Sequence, residues 1–166
     1  MKLIFDADGL IKLNHAGVLG EVVQNYESLV PAAVYSEVVV RGALIGYGDA
    51  TEIGQVLEES AVAVTSDIRK ALRASDPILS GLGAGETQAL YLAIQHRGDA
   101  VIVSDDRRFL GVLSDLSLRF LVPSHIILGL ARDEILSASD AKTAIDALRP
   151  FIRQSDYIEA LEILGE

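Results

Sequence analysis

The chain contains no cysteine. That excludes a disulfide-stapled scaffold and any thiolate metal site, and it fits a reducing compartment. Long apolar runs are missing too. No stretch approaches the roughly 18 consecutive apolar residues that a membrane span needs. The N-terminus carries one lysine and reaches Asp6 before a signal-peptide core could form. Internal repeats and low-complexity segments are absent. Positive charge is in deficit, with 14 Lys and Arg against 24 Asp and Glu and a formal net charge of −10. Such a balance argues against wide electrostatic contact with nucleic acid, whose affinity comes largely from Lys and Arg on phosphate. The three histidines, His15, His96 and His125, are scattered, and each reads most simply as a surface or helix-end residue. Together these absences point to a soluble, cytoplasmic protein.

What is present is a folding chain. Half of its 166 residues are hydrophobic, and its mean hydropathy is +0.34. That suffices for one domain with a substantial core. We expect a single domain over 1–166, with its core at about 1–132 and a helical extension at about 133–166.

The pattern predicts a strand over 2–5 and a helix from about Asp8 to Ala16, with Gly17 and Gly20 punctuating the chain after it. A strand over 28–30 leads to Pro31, which suits the first turn of a helix over 32–42. Asp49 is a good N-cap for a helix through about Glu59. Residues 61–65 read as a further, weaker strand, and 66–74 as a short helix carrying Arg69, Lys70 and Arg73. Ser75 to Gly85 holds a proline and three glycines and reads as loop. Helices over 86–97, 106–113, 124–132, 137–148 and 155–164, with strands over 100–103 and 119–122, complete the reading. Strands separated by helices give an α/β fold of three layers, α/β/α, around a central parallel sheet, with extra helices at the C-terminus. The first strand belongs at its centre, beside the one ending at Ser104.

Both of those strands stop on acid. Leu3-Ile4-Phe5 runs into Asp6-Ala7-Asp8-Gly9, and Ala100-Val101-Ile102-Val103 runs into Ser104-Asp105-Asp106. Open α/β proteins place their chemistry at the carboxyl ends of such strands. Glu37, inside an otherwise apolar helix, and Glu86, opening a helix after Gly83-Ala84-Gly85, complete the set. Taken singly, each acid has an ordinary explanation as a helix cap, a helix-dipole partner or a solvated residue. Taken jointly they ask for a cation. Two carboxylates about 4 Å apart repel by roughly 4 kcal/mol near a protein surface, and a hard divalent ion removes that conflict. A carboxylate pocket without histidine suits Mg²⁺ or Mn²⁺ rather than Zn²⁺.

Four short motifs in order then resemble the PIN domain, the nuclease fold of VapC-type toxins. They are Leu3 to Ile11 with Asp6 at the strand end, Pro31 to Val39 with Glu37, Leu82 to Leu90 with Gly85-Glu86, and Val103-Ser104-Asp105-Asp106-Arg107-Arg108-Phe109. They span about residues 1–123. The resemblance implies a metal-binding quartet of Asp6, Glu37, Glu86 and Asp106, steadied by Ser104 in the place of a usual Thr. Asp105 is the second choice for the fourth ligand. Asp8, standing where a small hydroxyl residue is usual, is a further ligand or a substitute hydrogen bonder. The implied activity is a metal-dependent endoribonuclease. Arg69, Lys70, Arg73 and Arg107 would guide single-stranded RNA. A homodimer and a small antitoxin protein are the implied partners. Two rivals stand beside this reading. Asp6-Ala7-Asp8-Gly9 also resembles the opening motif of haloacid dehalogenase-like phosphatases, with Asp6 as nucleophile and Asp8 as general acid. Their lysine would have to be Lys70, and Glu37 and Glu86 go unexplained. The other rival is a PIN-like protein that binds without turnover.

Overall fold

The computed structural model describes residues 1–70, 72 and 76–165. Among the described residues, five strands form one parallel sheet in the order β3-β2-β1-β4-β5. They are β1 (Lys2–Phe5), β2 (Glu27–Pro31), β3 (Ala63–Thr65), β4 (Ala100–Val103) and β5 (Phe120–Leu121). β1 is central, as expected, with Leu3 level with Ser28 on one side and Val101 on the other. From β1 the chain winds outward through β2 and β3, then returns to the far side for β4 and β5. The order therefore reverses at β1 and β4, and a crevice forms outside their carboxyl ends.

A parallel strand buried on both faces reads as a continuous apolar run, because helices cover each side. In β1, Leu3 and Phe5 face one layer while Ile4 faces the other. The first layer contains α1 (Ala7–His15), α2 (Leu19–Asn25), α5 (Gly48–Glu59), α8 (Pro123–Arg132), α9 (Ala138–Leu148) and α10 (Gln154–Leu164). The second contains α6 (Ala84–Gln95) and α7 (Arg107–Asp115), with Leu90, Leu92 and Phe109 fully enclosed against Ile4 and Ile102. This is the three-layer arrangement expected from the sequence. No helix among the described residues is long and apolar enough to cross a membrane.

Several elements differ from the sequence reading. The helix expected over 32–42 runs as α3 (Ala32–Tyr35), a wider π-helical stretch (Ser36–Arg41) and α4 (Gly42–Ile45). Such wide turns recur at functional sites, and this one carries Glu37. Leu19–Asn25, passed over because of Gly17 and Gly20, is helical; packing of Leu19, Val22 and Val23 into the core overrides the glycine. Residues 66–70 are not helical. Their backbone turns instead, with Ile68 N–H donating to the Ser66 carbonyl and Arg69 N–H donating to Gln95 Oε1. Residues 71, 73, 74 and 75, including Arg73, lie outside the described residues. A 3₁₀ turn at Pro77–Leu79 interrupts the expected loop, and β5 is two residues shorter than expected.

Candidate active site at the sheet crevice

Asp6 is the residue that ends β1 and begins α1. Its backbone is extended, and its carboxylate Oδ1 accepts from Gly9 N–H at 2.7 Å, the ordinary geometry of an N-cap. It is an unusual cap, because it is only 3 % exposed. Burial pushes its pKa from 3.8 up to about 7. Hydrogen bonds from Ser104 and from Gly9 act against that rise, and the negative charges of Asp8 and Asp105 add to it.

Gly9 is what lets α1 press so closely on the end of β4. A Cβ there would run into the carbonyl oxygen of Val103 and stand 3.2 Å from Asp6 Oδ1. The obstructing atoms are largely backbone and cannot swing aside. Gly9→Ala is therefore expected to destabilise the fold by about 1–3 kcal/mol through overpacking, read as a lower urea midpoint with an unchanged slope.

β4 delivers the second group of acids. Ser104 is fully buried, hydrogen-bonded to Asp6, and its Oγ accepts from Asp106 N–H at 3.2 Å. Asp106 caps α7, its Oδ1 accepting from Phe109 N–H at 2.8 Å, and its residue surface is exposed. Asp105 points elsewhere. It meets Asp8 and Lys12, and its side chain is 6 % exposed. Burial and the neighbouring Asp8 carboxylate push Asp105 up to about 6. In Asp8 burial also acts upward, but hydrogen bonds from Asp105 and from the Lys12 ammonium outweigh it and hold Asp8 below the usual carboxylate range.

Lys12 is the site residue that the sequence reading missed. It donates to Asp8 Oδ2 at 2.7 Å and also to Asp105 Oδ1. The signal was available, since an acid followed four residues later by a lysine shares one helix face.

Glu86 lies in the first turn of α6. Its Oε2 accepts from Gly83 N–H at 2.7 Å and from Arg108 Nη2 at 3.2 Å. The Arg108 contact ties the first turn of α6 to that of α7, immediately after Asp106. Gly81, at φ +81°, leaves room for the same guanidinium. Glu37 reaches the same corner. Its Oε2 would stand 3.6 Å from a Cβ on Gly85. The structure thus links Asp6, Ser104 and Asp106 through hydrogen bonds, joins Asp8 to Asp105 through Lys12, ties Glu86 to α7 through Arg108, and sets Glu37 beside the first turn of α6 at Gly85. The basic residues divide. Arg107 opens α7 next to Asp106 and is exposed. Lys70 is exposed as well, while Arg69 is anchored by its backbone at Gln95. Gln95 is nine residues along α6 from Glu86, about 14 Å of helix.

The donor set suits a hard cation in its chemistry: carboxylates and a hydroxyl, with no sulfur. It is not gathered around one point. Among the described residues no three acidic or histidine side chains stand close enough to hold an ion as they lie, and Lys12 and Arg108 neutralise three of the carboxylates. A separate cleft of about 760 Å³, lined by Leu3, Leu121, His125, Ile126, Leu128 and Ile163 among others, includes none of these acids.

An all-parallel sheet with carboxylates at its reversal point defines an α/β protein built to work at one crevice. The family is more specific than that. A family model described as a PIN domain, DUF3368, matches residues 2–162, and the chain belongs to this PIN domain family. No curated protein and no solved structure matches it significantly. PIN domains are in general nucleases, which makes this chain a nuclease-type α/β protein. The membership sets aside the haloacid dehalogenase-like reading. That reading needed Lys70 as the ammonium partner of the acids, and Lys12 stands there instead.

Proposed function

We propose that this protein is a metal-dependent endoribonuclease. The observation that carries the reading is Asp6: a buried carboxylate at the end of the central strand, hydrogen-bonded to Ser104 and feeling the negative charges of Asp8 and Asp105. Burial makes this carboxylate hold a proton unless a cation favours its charged form, so a bound ion would displace that proton. Asp6, Glu86 and Asp106 would hold Mg²⁺ or Mn²⁺, with Asp105, Glu37 and Asp8 as further candidate ligands. The bound ion supplies an activated water and charge stabilisation for in-line displacement at phosphorus. The chain's own residues set the geometry. Gly9 N–H and Ser104 hold Asp6 still, Asp106 fixes the start of α7, and Arg107 offers a guanidinium for a phosphate beside it. Arg69, Lys70 and Arg73 extend that guidance along single-stranded RNA.

We propose further roles and partners on the same basis. The chain acts as a VapC-type toxin in the cytoplasm, as a homodimer, and a small antitoxin protein covers the crevice. Its 166 residues form one domain, extension included. The test is cleavage of single-stranded RNA with Mg²⁺ or Mn²⁺, with EDTA as control. Glu86→Gln is expected to slow cleavage by roughly a hundredfold or more. Equal rates in parent, Asp6→Asn and Glu86→Gln would refute the mechanism. A rise in melting temperature with Mn²⁺ that Asp6→Asn removes, without any cleavage, would favour the binding-only rival instead.

A further inference from the structure

Two carboxylates that a fold brings together keep their charge only with a cation between them. Asp8 and Asp105 are such a pair, one from the first turn of α1 and the other from the end of β4. Their cation is part of the chain. The ammonium of Lys12, one helical turn after Asp8, bonds to both, and its side chain is only 13 % exposed.

We propose that Lys12 occupies a second cation position in the crevice, so that Asp8 and Asp105 are withdrawn from metal binding and the protein takes a single divalent ion. The first ion rests on the reading above, with Asp6, Glu86 and Asp106 as its ligands. Lys12 is then a positioning residue. It does not meet the scissile phosphate. It settles which acid of the Asp105-Asp106 pair is available: Asp105 is occupied by an ammonium, whereas the exposed Asp106 has, among the described residues, its carboxylate bonded only to Phe109 N–H of its own helix cap. A tethered ammonium also has a physical advantage over a second ion. It is present at every metal concentration, and its three donors suffice for two carboxylates.

The proposal predicts that deleting the ammonium opens a metal site. The full chain, freed of metal with EDTA and dialysed, is titrated with MnCl₂ by calorimetry and followed by thermal melting. Lys12→Met keeps the length of the side chain and removes its charge. Without metal it is expected to melt several degrees below the parent. With MnCl₂ its melting temperature is expected to rise more than the parent's, and one more Mn²⁺ is expected to bind per chain. The double variant Lys12→Met with Asp8→Asn is expected to regain the metal-free melting temperature and to lose the additional binding event. A Lys12→Met protein that folds only with Mn²⁺ present supports the proposal equally. Identical Mn²⁺ stoichiometry and identical melting shifts in parent and Lys12→Met overturn it, as does a Lys12→Met protein that Mn²⁺ cannot restore. Failure of the nuclease reading gives a different result: no Mn²⁺ binding in the parent that Asp6→Asn removes. The additional event in Lys12→Met still decides the role of Lys12 in that case.

Discussion

Asp6→Asn is expected to abolish RNA cleavage and, in the absence of metal, to make the protein more stable at pH 8. The two effects come from one property. In the unfolded chain Asp6 titrates near 3.8, and in the folded protein near 7. Between those values the folded state keeps a proton that the unfolded state has lost. Stability from this group is therefore complete below about pH 4, declines as the pH rises, and is gone above about pH 7. A shift of that size corresponds to something on the order of 4 kcal/mol, or roughly 10 °C in melting temperature for a domain of this length. Asparagine carries no charge at any pH and can still accept from Gly9 N–H. The melting curves of parent and variant should accordingly coincide near pH 4 and separate steadily up to pH 7, with the variant higher. Added Mn²⁺ should raise only the parent. Parallel pH profiles would mean that Asp6 is solvated after all, and undiminished cleavage would mean that its carboxylate takes no part in the reaction.

Removal of residues 133–166 is expected to destroy cooperative folding. The sequence suggests an extension beyond a core ending at about 132, yet α9 buries Ala141, Ala144, Ile145 and Leu148 in the same apolar cluster as Leu3 and Phe5 of β1. Fully burying a side chain such as Ile or Leu contributes about 1.5–3 kcal/mol. Losing Ile145 and Leu148, together with the cover that they give to Ile126, Ile127 and Leu130 on α8, removes an amount comparable to the 5–15 kcal/mol by which whole domains are stable. The shortened chain should show no sigmoidal melting transition. In the full chain, Ile145→Ala and Leu148→Ala should each lower stability by about 2–5 kcal/mol in a urea titration. A truncated chain that melts as sharply as the parent would show that the two parts fold independently.

The fold was largely legible because its central strands are apolar on both faces and each stops on an acid. Leu3-Ile4-Phe5-Asp6 and Ala100 to Asp105 leave little choice of strand, direction or layer. The weak points were places where tertiary contacts override local preference. Gly20 suggested a break, but Val22 and Val23 pack into the core and the chain stays helical. The basic tract near Arg69 suggested a helix, but its backbone finds partners in a turn and in the Gln95 side chain. In the site, the order of acids along the chain was readable, but of the cations only the four-residue spacing from Asp8 to Lys12 was. Lys12 and Arg108 compensate acids supplied by other elements, Asp105 on β4's end and Glu86 on α6. Nothing in local spacing announces a partner 93 or 22 residues away.

The wide helical turn at Ser36–Arg41 has a consequence for whatever follows it. A helix that gains one residue within a turn rotates everything downstream by about 100°. Gly42 consequently lies against α5, with no room for a methyl group beside Ala50, while Leu44 projects outward at 82 % exposure. Shortening this stretch by a single residue would bring the bulky side chains round to the α5 side and turn the glycine toward water. The arm after Glu37 is therefore keyed by its backbone phase, and a length change there would be felt as a steric error, however conservative the residues that remain.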